Sequence, residues 1–211
     1  MKECAIFAGG VIENPGFIDK GELLDSCGFI ICADGGYRYA EALEIVPDLF
    51  VGDFDSYDGE LPDGADIHKS VPEKDDTDTL LAVREAISAG YSKIRLYGAL
   101  GARIDHTVAN IQTLIFAYKN GCELRIIDET NEIYLQGVGE KSYIRREGWY
   151  FSLFAVGGRA HISSCQGVKY PIADYEMTPE FPIGVSNEIT MENAVLSIDS
   201  GLVLVIRSKK L

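Results

Sequence analysis

Residues 29–36 read Phe29-Ile30-Ile31-Cys32-Ala33-Asp34-Gly35-Gly36, an unbroken apolar run that ends in an acidic, glycine-rich stretch. Apolar runs without polar alternation are typical of strands that are buried on both faces of a parallel sheet. Similar runs occupy residues 4–8, 49–51, 94–97 and 124–127, and helical patterns lie between them at 17–26, 36–43, 77–89 and 103–119. This alternation predicts βαβ units around a parallel sheet.

The second part of the chain has a different pattern. After residue 128 the segments are short, they alternate apolar with polar residues, and glycines separate them. They lie at 133–135, 143–145, 150–155, 161–163, 188–190, 194–198 and 202–207. We therefore predict an α/β fold with two domains. Residues 1–128 form a parallel-sheet, Rossmann-like nucleotide-binding domain, and residues 129–211 form a small antiparallel β-sandwich domain or barrel.

Composition argues against several functional classes. The 211 residues carry a net charge of −14, and residues 1–128 hold 23 acidic against 11 basic side chains. Such a chain is a poor binder of nucleic acids or anionic membranes, because these require clustered Lys and Arg. No apolar run approaches the ~18 residues of a membrane span, and no signal-peptide pattern is recognisable. Five cysteines, an odd number without a CxxC pair, indicate a reducing, cytoplasmic compartment.

Four of the predicted strands end in glycine or aspartate. Ligands of open parallel α/β sheets bind beyond the carboxyl ends of the strands, where glycines let backbone N–H groups approach a phosphate. Asp53 and Asp55 face the same side if their stretch is extended. At about 4 Å and an effective dielectric of roughly 20, two carboxylates repel by about 4 kcal/mol. Mg²⁺ removes that penalty, although capping of a turn explains an isolated pair equally well.

A third acidic group follows at Asp75, Asp76 and Asp78, at the start of a predicted helix. Helix capping by Asp76 or Thr77 explains one of these residues. It does not explain the whole cluster together with Lys74, which would be a compact counter-charge beside a metal–phosphate site. The cluster therefore favours a site for Mg²⁺ and phosphate groups at this edge of the sheet.

The last glycine-rich strand end leads into the helix predicted at 103–119. One apolar stripe on that helix contains Ile104, Val108, Ile111, Ile115 and Tyr118. Arg103, His106 and Asn110 fall on a different face, near the helix N-terminus. Arg103 is suited to clamp phosphate oxygens, and Asp105 or Asn110 to hold a ribose, a base or a partner side chain. We assign His106 a positioning role at most, because a single helical histidine is more often structural.

Together these features predict metal-assisted phosphoryl chemistry, which depends on positioning and charge neutralisation more than on covalent catalysis. The sequence contains neither a G-x-x-x-x-G-K-[ST] loop nor a G-x-G-x-x-G loop. It also lacks the H-R-D and D-F-G motifs of protein kinases. The chain is therefore not a standard P-loop enzyme or protein kinase.

Six motifs in order resemble those of one family. They are Ala33-Asp34-Gly35-Gly36, Gly52-Asp53-Phe54-Asp55-Ser56, Asp75-Asp76-Thr77-Asp78, the stretch from Gly98 to Asn110, Gly167-Val168-Lys169-Tyr170-Pro171 and Gly184-Val185-Ser186-Asn187-Glu188. The last two resemble stretches that the family writes as GlkYP and GlSNE. In order and approximate spacing, the six motifs are similar to those of thiamine pyrophosphokinases. The resemblance covers nearly the whole chain.

The resemblance implies an enzyme that transfers the β,γ-diphosphate of ATP to the hydroxyl of thiamine and releases AMP. It also implies a homodimer with its sites at the subunit interface. Carried over by position, Asp53, Asp55 and Asp78 are implied to hold Mg²⁺, and these residues with Arg103 are the implied catalytic groups. ATP contacts are implied for Asp34, Gly35, Gly36, Lys74, Asp75, Arg103, Asp105, His106 and Asn110. Thiamine contacts are implied for Ser186 and Asn187, which would otherwise be interpreted as a turn between strands.

One feature departs from the family pattern. Animal members carry a tryptophan on the last strand near the thiamine ring, whereas residues 202–206 contain no aromatic residue and Trp149 begins a different strand. The resemblance therefore does not identify an aromatic partner for the ring. Two other functions stay open: a different Mg²⁺-dependent transferase or phosphohydrolase using the Asp53 and Asp55 pair, and a non-catalytic module that binds nucleotide or thiamine.

Overall fold

The computed structural model describes residues 2–52, 67–68, 76–101 and 103–210. The chain divides into two compact units, Met1–Glu129 and Thr130–Leu211. The sequence-based boundary after Asp128 lies one residue before this division. No described helix has the length and hydropathy of a membrane span.

The first unit contains a sheet whose described strand pairings are all parallel. Its strands are β1 (Glu3–Phe7), β2 (Cys27–Ala33), β3 (Leu49–Val51), β4 (Ile67–His68), β5 (Lys93–Tyr97) and β6 (Glu123–Ile127). Their order across the sheet is β4-β3-β2-β1-β5-β6. The chain therefore builds outward from β1 in one direction and then returns to add β5 on the other side of β1. That reversal makes the carboxyl ends of β1 and β5 a topological switch point.

Helices connect these strands, as the sequence pattern predicts. They are α1 (Lys20–Ser26), α2 (Tyr37–Ala42), α3 (Asp78–Ser88) and α4 (Ile104–Lys119), with short 3₁₀ turns at Pro15–Phe17 and Asp34–Gly36. Asp19 caps α1 by accepting from the N–H of Glu22 at 3.0 Å. Thr77 caps α3 by accepting from the N–H of Leu80 at 3.2 Å, so Thr77 is the capping residue of the acidic cluster.

The unbroken apolar runs are buried, as expected for strands covered on both faces. Side chains from Cys4 to Phe7 are inaccessible to solvent, and Ile31, Cys32 and Val51 on the neighbouring strands are equally enclosed. All five cysteines are buried thiols. Burial raises the pKa of each of them, to about 11 for Cys122 and for Cys165, so that they pack as small apolar groups.

Helix α4 exposes part of its predicted apolar stripe to solvent. An apolar stripe normally faces a core, but Ile104 is 76% exposed and Val108 and Tyr118 are also exposed. The buried positions of α4 are instead Asn110, Thr113, Leu114 and Ala117. The buried face therefore includes two polar residues, and one of them, Asn110, forms a hydrogen bond to the neighbouring loop that is described below.

The second unit is antiparallel throughout its described strand pairings. Its strands are β7 (Asn131–Gln136), β8 (Gly139–Ile144), β9 (Trp149–Gln166), β10 (Ile172–Met177), β11 (Gly184–Asn187) and β12 (Asn193–Lys209). In two places, a pair of segments predicted as separate strands forms one continuous strand. Residues 150–155 and 161–163 both belong to β9, and residues 194–198 and 202–207 both belong to β12. The segment expected at 188–190 contributes only an isolated bridge between Val168 and Ile189.

The two long strands carry separate partners at their two ends. Residues 151–153 of β9 pair with β11 and residues 203–208 of β12 pair with β7. Residues 160–165 of β9 pair with β10 and residues 193–198 of β12 pair with β8. Apolar side chains from both ends, including Leu153, Ile162, Leu196 and Val205, belong to one buried cluster. The unit therefore has a single core shared by both ends of its long strands.

Candidate functional site

The carboxyl ends of β1, β2, β3 and β5 lie at one edge of the first unit, because these strands are parallel. A Cβ atom on Gly9, after β1, would lie 3.6 Å from the Oδ2 of Asp34 and 3.6 Å from the backbone nitrogen of Gly35, after β2. Gly35 and Gly36 are buried, and a side chain on Gly36 would overlap the carbonyl oxygen of Phe7. The glycines after β1 and β2 thus allow the two strand ends to approach closely.

Asp34 has an unusual conformation at this edge. Its φ of 48° lies in the left-handed region, which costs a non-glycine residue energy and is often found at functional sites. Among the described residues, its buried Oδ1 has no hydrogen-bond partner. A buried carboxylate oxygen without a partner is costly. The side chain is therefore an acceptor suited to a donor or to a hard cation.

Gly52, the last described residue before Asp53, lies between the backbone of Asp34 and the carboxylate of Asp78. A Cβ atom on Gly52 would be 3.2 Å from the backbone nitrogen of Asp34 and 3.4 Å from the Cγ of Asp78, the first residue of α3. Gly52 has a φ of 129°, which a residue with a side chain rarely adopts. Strand β3, the 3₁₀ turn after β2 and the start of α3 therefore converge at the point where the segment with the D-x-D motif begins.

Four predicted site residues, Asp53, Asp55, Lys74 and Asp75, lie outside the described residues. Asp78 is the one member of the predicted metal trio that the structure describes. No group of three or more His, Cys, Asp or Glu side chains with metal-binding geometry occurs within the described residues. The neighbouring Asp76 forms an ion pair with Arg84 at 3.1 Å. The metal trio therefore stays a prediction.

Some of the predicted site residues after β5 are exposed to solvent and one is buried. Arg103 precedes α4, is 68% exposed and forms an ion pair with Asp105 at 2.6 Å. Asp105 also accepts from the N–H of His106 at 3.0 Å. The hydrogen bonds from Arg103 lower the pKa of the Asp105 carboxyl, and Asp105 in turn raises the pKa of Arg103. This pair, together with the exposed His106, places both a cation and an anion in solvent beside the glycine-rich loop.

Asn110 is only 5% exposed and donates from Nδ2 to the carbonyl oxygen of Ala99 at 2.8 Å. This hydrogen bond connects α4 to the glycine-rich loop after β5. Arg103 and His106 are exposed, so Asn110 does not share their environment, although all three were predicted to lie on one face. Its amide nitrogen contacts the loop itself.

In the second unit, Ser186 and Asn187 lie on β11 with contrasting exposure. Ser186 is exposed, has a left-handed φ of 58° and donates from its backbone N–H to the Oγ of Ser152 at 2.9 Å. Asn187 is buried, and its Oδ1 accepts from the N–H groups of Tyr170 at 3.0 Å and Glu188 at 2.9 Å. Its Nδ2 donates to the carbonyl oxygen of Tyr170 at 2.8 Å. Asn187 thus holds the loop containing Tyr170 against β11.

A mainly apolar cavity of about 440 Å³ lies beside these residues. Its lining includes Tyr170, Ile172, Tyr175, Ile183 and Val185, with Asn187 at its side. Tyr170 is 62% exposed even though its backbone is fixed by Asn187. The sequence reasoning assigned no role to Tyr170 on its own, although the residue lies within the stretch that resembles GlkYP.

Comparison with known proteins assigns both units. Residues 21–126 match the family described as "Thiamin pyrophosphokinase, catalytic domain", and residues 140–203 match "Thiamin pyrophosphokinase, vitamin B1 binding domain". A curated thiamine pyrophosphokinase from Bacillus subtilis (strain 168) is 30% identical over 223 residues, which cover 99% of each chain.

The chain belongs to the thiamine pyrophosphokinase family.

Solved structures of the family have the same fold. The crystal structure of thiamine pyrophosphokinase from Bacillus subtilis superposes with a TM-score of 0.87 at 27% identity and covers 100% of both chains. Yeast thiamin pyrophosphokinase, at 15% identity, superposes with a TM-score of 0.77 over 98% of this chain and 86% of its own, which is a likeness of fold alone. The matched thiamine pyrophosphokinase catalytic region contains Asp34, Gly52 and Asp78, and the matched vitamin B1 binding region contains Ser186, Asn187 and the cavity.

Proposed function

We propose that this thiamine pyrophosphokinase family member moves the terminal diphosphate of ATP onto thiamine. In the proposed reaction, the hydroxyl oxygen of thiamine attacks the β-phosphorus of ATP. A new P–O bond forms, the bond between the β-phosphorus and its oxygen bridge to the α-phosphorus breaks, and AMP leaves. The observation that carries the proposal is the convergence of Asp34 and Asp78 on Gly52, within a region that matches the family's catalytic domain.

The proposed metal site consists of Asp53, Asp55 and Asp78. The donor set fits the ion, because Mg²⁺ takes carboxylate oxygens together with substrate phosphates. The buried Oδ1 of Asp34, which has no described partner, supports an electropositive ligand at this position. When bound, Mg²⁺ would supply charge neutralisation for the phosphate oxygens. We further propose that Asp55 or Asp78 accepts the proton of the thiamine hydroxyl.

The proposed ATP contacts surround this centre. We propose that backbone N–H groups at Gly35 and Gly36 face the phosphates and that Lys74 and Arg103 provide the positive charge. Asp34, Asp75, Asp105 and His106 complete the proposed ATP-contacting set. Asn110 is proposed to act through the loop that it holds, because its amide nitrogen donates to Ala99. In this arrangement Arg103 exchanges its pairing with Asp105 for a phosphate oxygen.

The second unit is the proposed thiamine-binding domain. The exposed hydroxyl of Ser186 would hydrogen-bond the substrate, and the cavity beside Tyr170 and Val185 would hold its apolar ring surface. Tyr170 is the aromatic side chain that we assign to the ring, in place of the tryptophan that the last strand lacks.

We also propose that the two units are a Rossmann-like domain and a β-sandwich. The switch point beside β1 supports the first assignment, and the core shared by both ends of β9 and β12 supports the second.

We propose a homodimer with the sites at the subunit interface, and a cytoplasmic location. The exposed apolar side chains of α4, which begin at Ile104 beside Arg103, support a surface that a second copy covers. Five cysteines that are all free thiols support a reducing compartment.

The function is tested by chromatography of the products from ATP, thiamine and Mg²⁺. We expect thiamine diphosphate and AMP in equal amounts, and AMP only when thiamine is present. Asp53→Asn should abolish product formation, because it removes a proposed metal charge while keeping the side-chain shape. Asp25→Asn, an equal loss of charge on the exposed face of α1, is the control and should leave turnover unchanged.

Near-normal turnover of Asp53→Asn would contradict the metal assignment. Formation of AMP without thiamine would favour a phosphohydrolase. Nucleotide binding without any turnover would favour a sensing module.

A further inference from the structure

The two loops at the switch point are joined by backbone hydrogen bonds. The N–H of Gly10, after β1, donates to the carbonyl oxygen of Gly98, after β5, at 2.7 Å. The N–H of Val11 donates to the carbonyl oxygen of Leu100 at 3.1 Å. These contacts make the two glycine-rich stretches one connected layer at the edge where ligands of such sheets bind.

Tyr39 of α2 is hydrogen-bonded to this layer through its side-chain hydroxyl. Its hydroxyl donates to the carbonyl oxygen of Gly10 and accepts from the N–H of Ile12 at 3.0 Å. A tyrosine hydroxyl has one proton to donate, and here it uses donor and acceptor together on a single loop. The side chain is buried, and the hydrogen bond to Ile12 is buried with it.

The ring of Tyr39 contacts the second loop as well. Its Cε2 lies 3.3 Å from the position that a Cβ atom on Gly98 would occupy. Gly98 itself has a left-handed φ of 65°, a backbone conformation that favours glycine. One buried side chain thus contacts the loop after β1 through its hydroxyl and the loop after β5 through its ring.

We infer that Tyr39 is a positioning residue for the nucleotide, and this inference rests on the proposed function. Its hydroxyl fixes the backbone groups at Gly10 and Ile12, and thereby the position of the two loops beside the proposed ATP site. Tyr39 does not touch the reacting atoms. Its effect on the reaction comes through the loops, because small displacements of positioning groups reduce the rate and affinity of a site strongly.

The variant Tyr39→Phe removes the hydroxyl and keeps the ring in its buried position. The matched control is Tyr91→Phe. Tyr91 stacks on Phe29 with ring centroids 5.6 Å apart, and its hydroxyl lies 3.3 Å from the Cβ position of Gly28, near the start of β2. Tyr91→Phe therefore removes the same phenolic hydroxyl at the opposite edge of the same sheet.

Three measurements test the inference: kcat with the KM for ATP and for thiamine, the Kd of α,β-methylene-ATP with Mg²⁺ by calorimetry, and the thermal unfolding temperature. For Tyr39→Phe we expect the Kd of the analogue and the KM for ATP to rise about tenfold, with the KM for thiamine within about twofold of wild type. For Tyr91→Phe we expect nucleotide binding like that of wild type.

Equal nucleotide affinity in the two variants would overturn the inference, even if Tyr39→Phe lowers the unfolding temperature. Equal rises in the KM values for ATP and thiamine would also overturn it, since that result indicates a general loss of structure. Failure of the proposed function has a different signature: the wild-type protein forms no AMP from ATP and thiamine. The calorimetric comparison still decides the role of Tyr39 in that case.

Discussion

At the scale of single residues, Asn187 acts as a substitute for backbone. Its side-chain amide accepts from the N–H and donates to the carbonyl oxygen of Tyr170, the same two groups that a neighbouring strand would bond. Asn187→Asp keeps the shape and the acceptor but loses the donor, and it places a negative charge against a carbonyl oxygen. We expect a loss of about 1–3 kcal/mol in the free energy of unfolding by urea, together with a higher KM for thiamine.

The control for this prediction is Asn120→Asp. Asn120 also donates from Nδ2 to a carbonyl oxygen, that of Phe116 at 2.8 Å, but it is exposed to water. Water replaces the lost partner there, and the new charge at the C-terminus of α4 costs only about 0.3–1 kcal/mol, so we expect a smaller loss than for Asn187→Asp. Similar losses of unfolding free energy in the two variants would show that burial of Asn187 does not increase the cost of the substitution.

Asn110 and Asn187 show which contacts of a single residue the sequence does not predict. Both asparagines were assigned to ligand contacts, and both use their amide nitrogens on backbone carbonyl oxygens, 11 and 17 residues away. Spacing within one helix or strand gives no information about such partners, because they lie on other elements. For the same reason the hydroxyl of Tyr39, whose partners lie 27 and 29 residues away, had no signal in the sequence.

At the scale of elements, glycines with positive φ lie inside the long strands of the second unit. Gly201 of β12 has a φ of 82°, and a Cβ atom there would overlap the carbonyl oxygen of Arg159 and lie 2.6 Å from the Cα of Ala160. Gly157 of β9 has a similar φ of 71° but nothing within 4 Å of its Cβ position. Gly157→Ala should therefore cost only the left-handed conformation, about 1–2 kcal/mol.

Gly201→Ala should cost about 1–3 kcal/mol more than Gly157→Ala, because backbone must move to admit the methyl group. Urea unfolding of both variants measures the difference directly. Equal losses of unfolding free energy in the two variants would mean that the backbone near Gly201 relaxes to admit the methyl group. The close approach of β9 and β12 at Gly201 would then not affect stability.

These glycines also explain which elements the sequence predicts. The parallel strands and helices of the first unit follow from unbroken apolar runs and capping residues, and the structure confirms them to within a few residues. In the second unit, the sequence pattern predicts separate strands on either side of the glycines at 157, 158 and 201, whereas these glycines lie inside continuous strands with local register shifts. Strand β10 was missed because its polar residues conceal the alternation.

At the scale of the whole molecule, parallel pairing is what makes a site predictable at all. Motifs that are far apart in sequence reach one edge because their strands run in one direction, and Asp34, Gly52 and Asp78 meet there as that logic requires. Asp53, Asp55, Lys74 and Asp75 stay predictions, since they lie outside the described residues. The sequence predicts which residues form the apolar stripe of α4. It does not predict whether that stripe is buried in the core or exposed on the surface.

The stripe leads to the last prediction, which concerns assembly. Exposed Ile104 and Val108 are unfavourable in water, and Ile104 directly follows Arg103 at the proposed ATP site. A second copy that covers them would complete the site and bury apolar surface in one step. The double variant Ile104→Glu and Val108→Glu should convert a dimer, twice the 23.1 kDa of one chain, into a monomer in sedimentation equilibrium, with loss of turnover. Val46→Glu, at an exposed apolar position before β3, should stay dimeric and active. A wild-type monomer would contradict the homodimer, and a double variant that stays dimeric would place the interface on another surface.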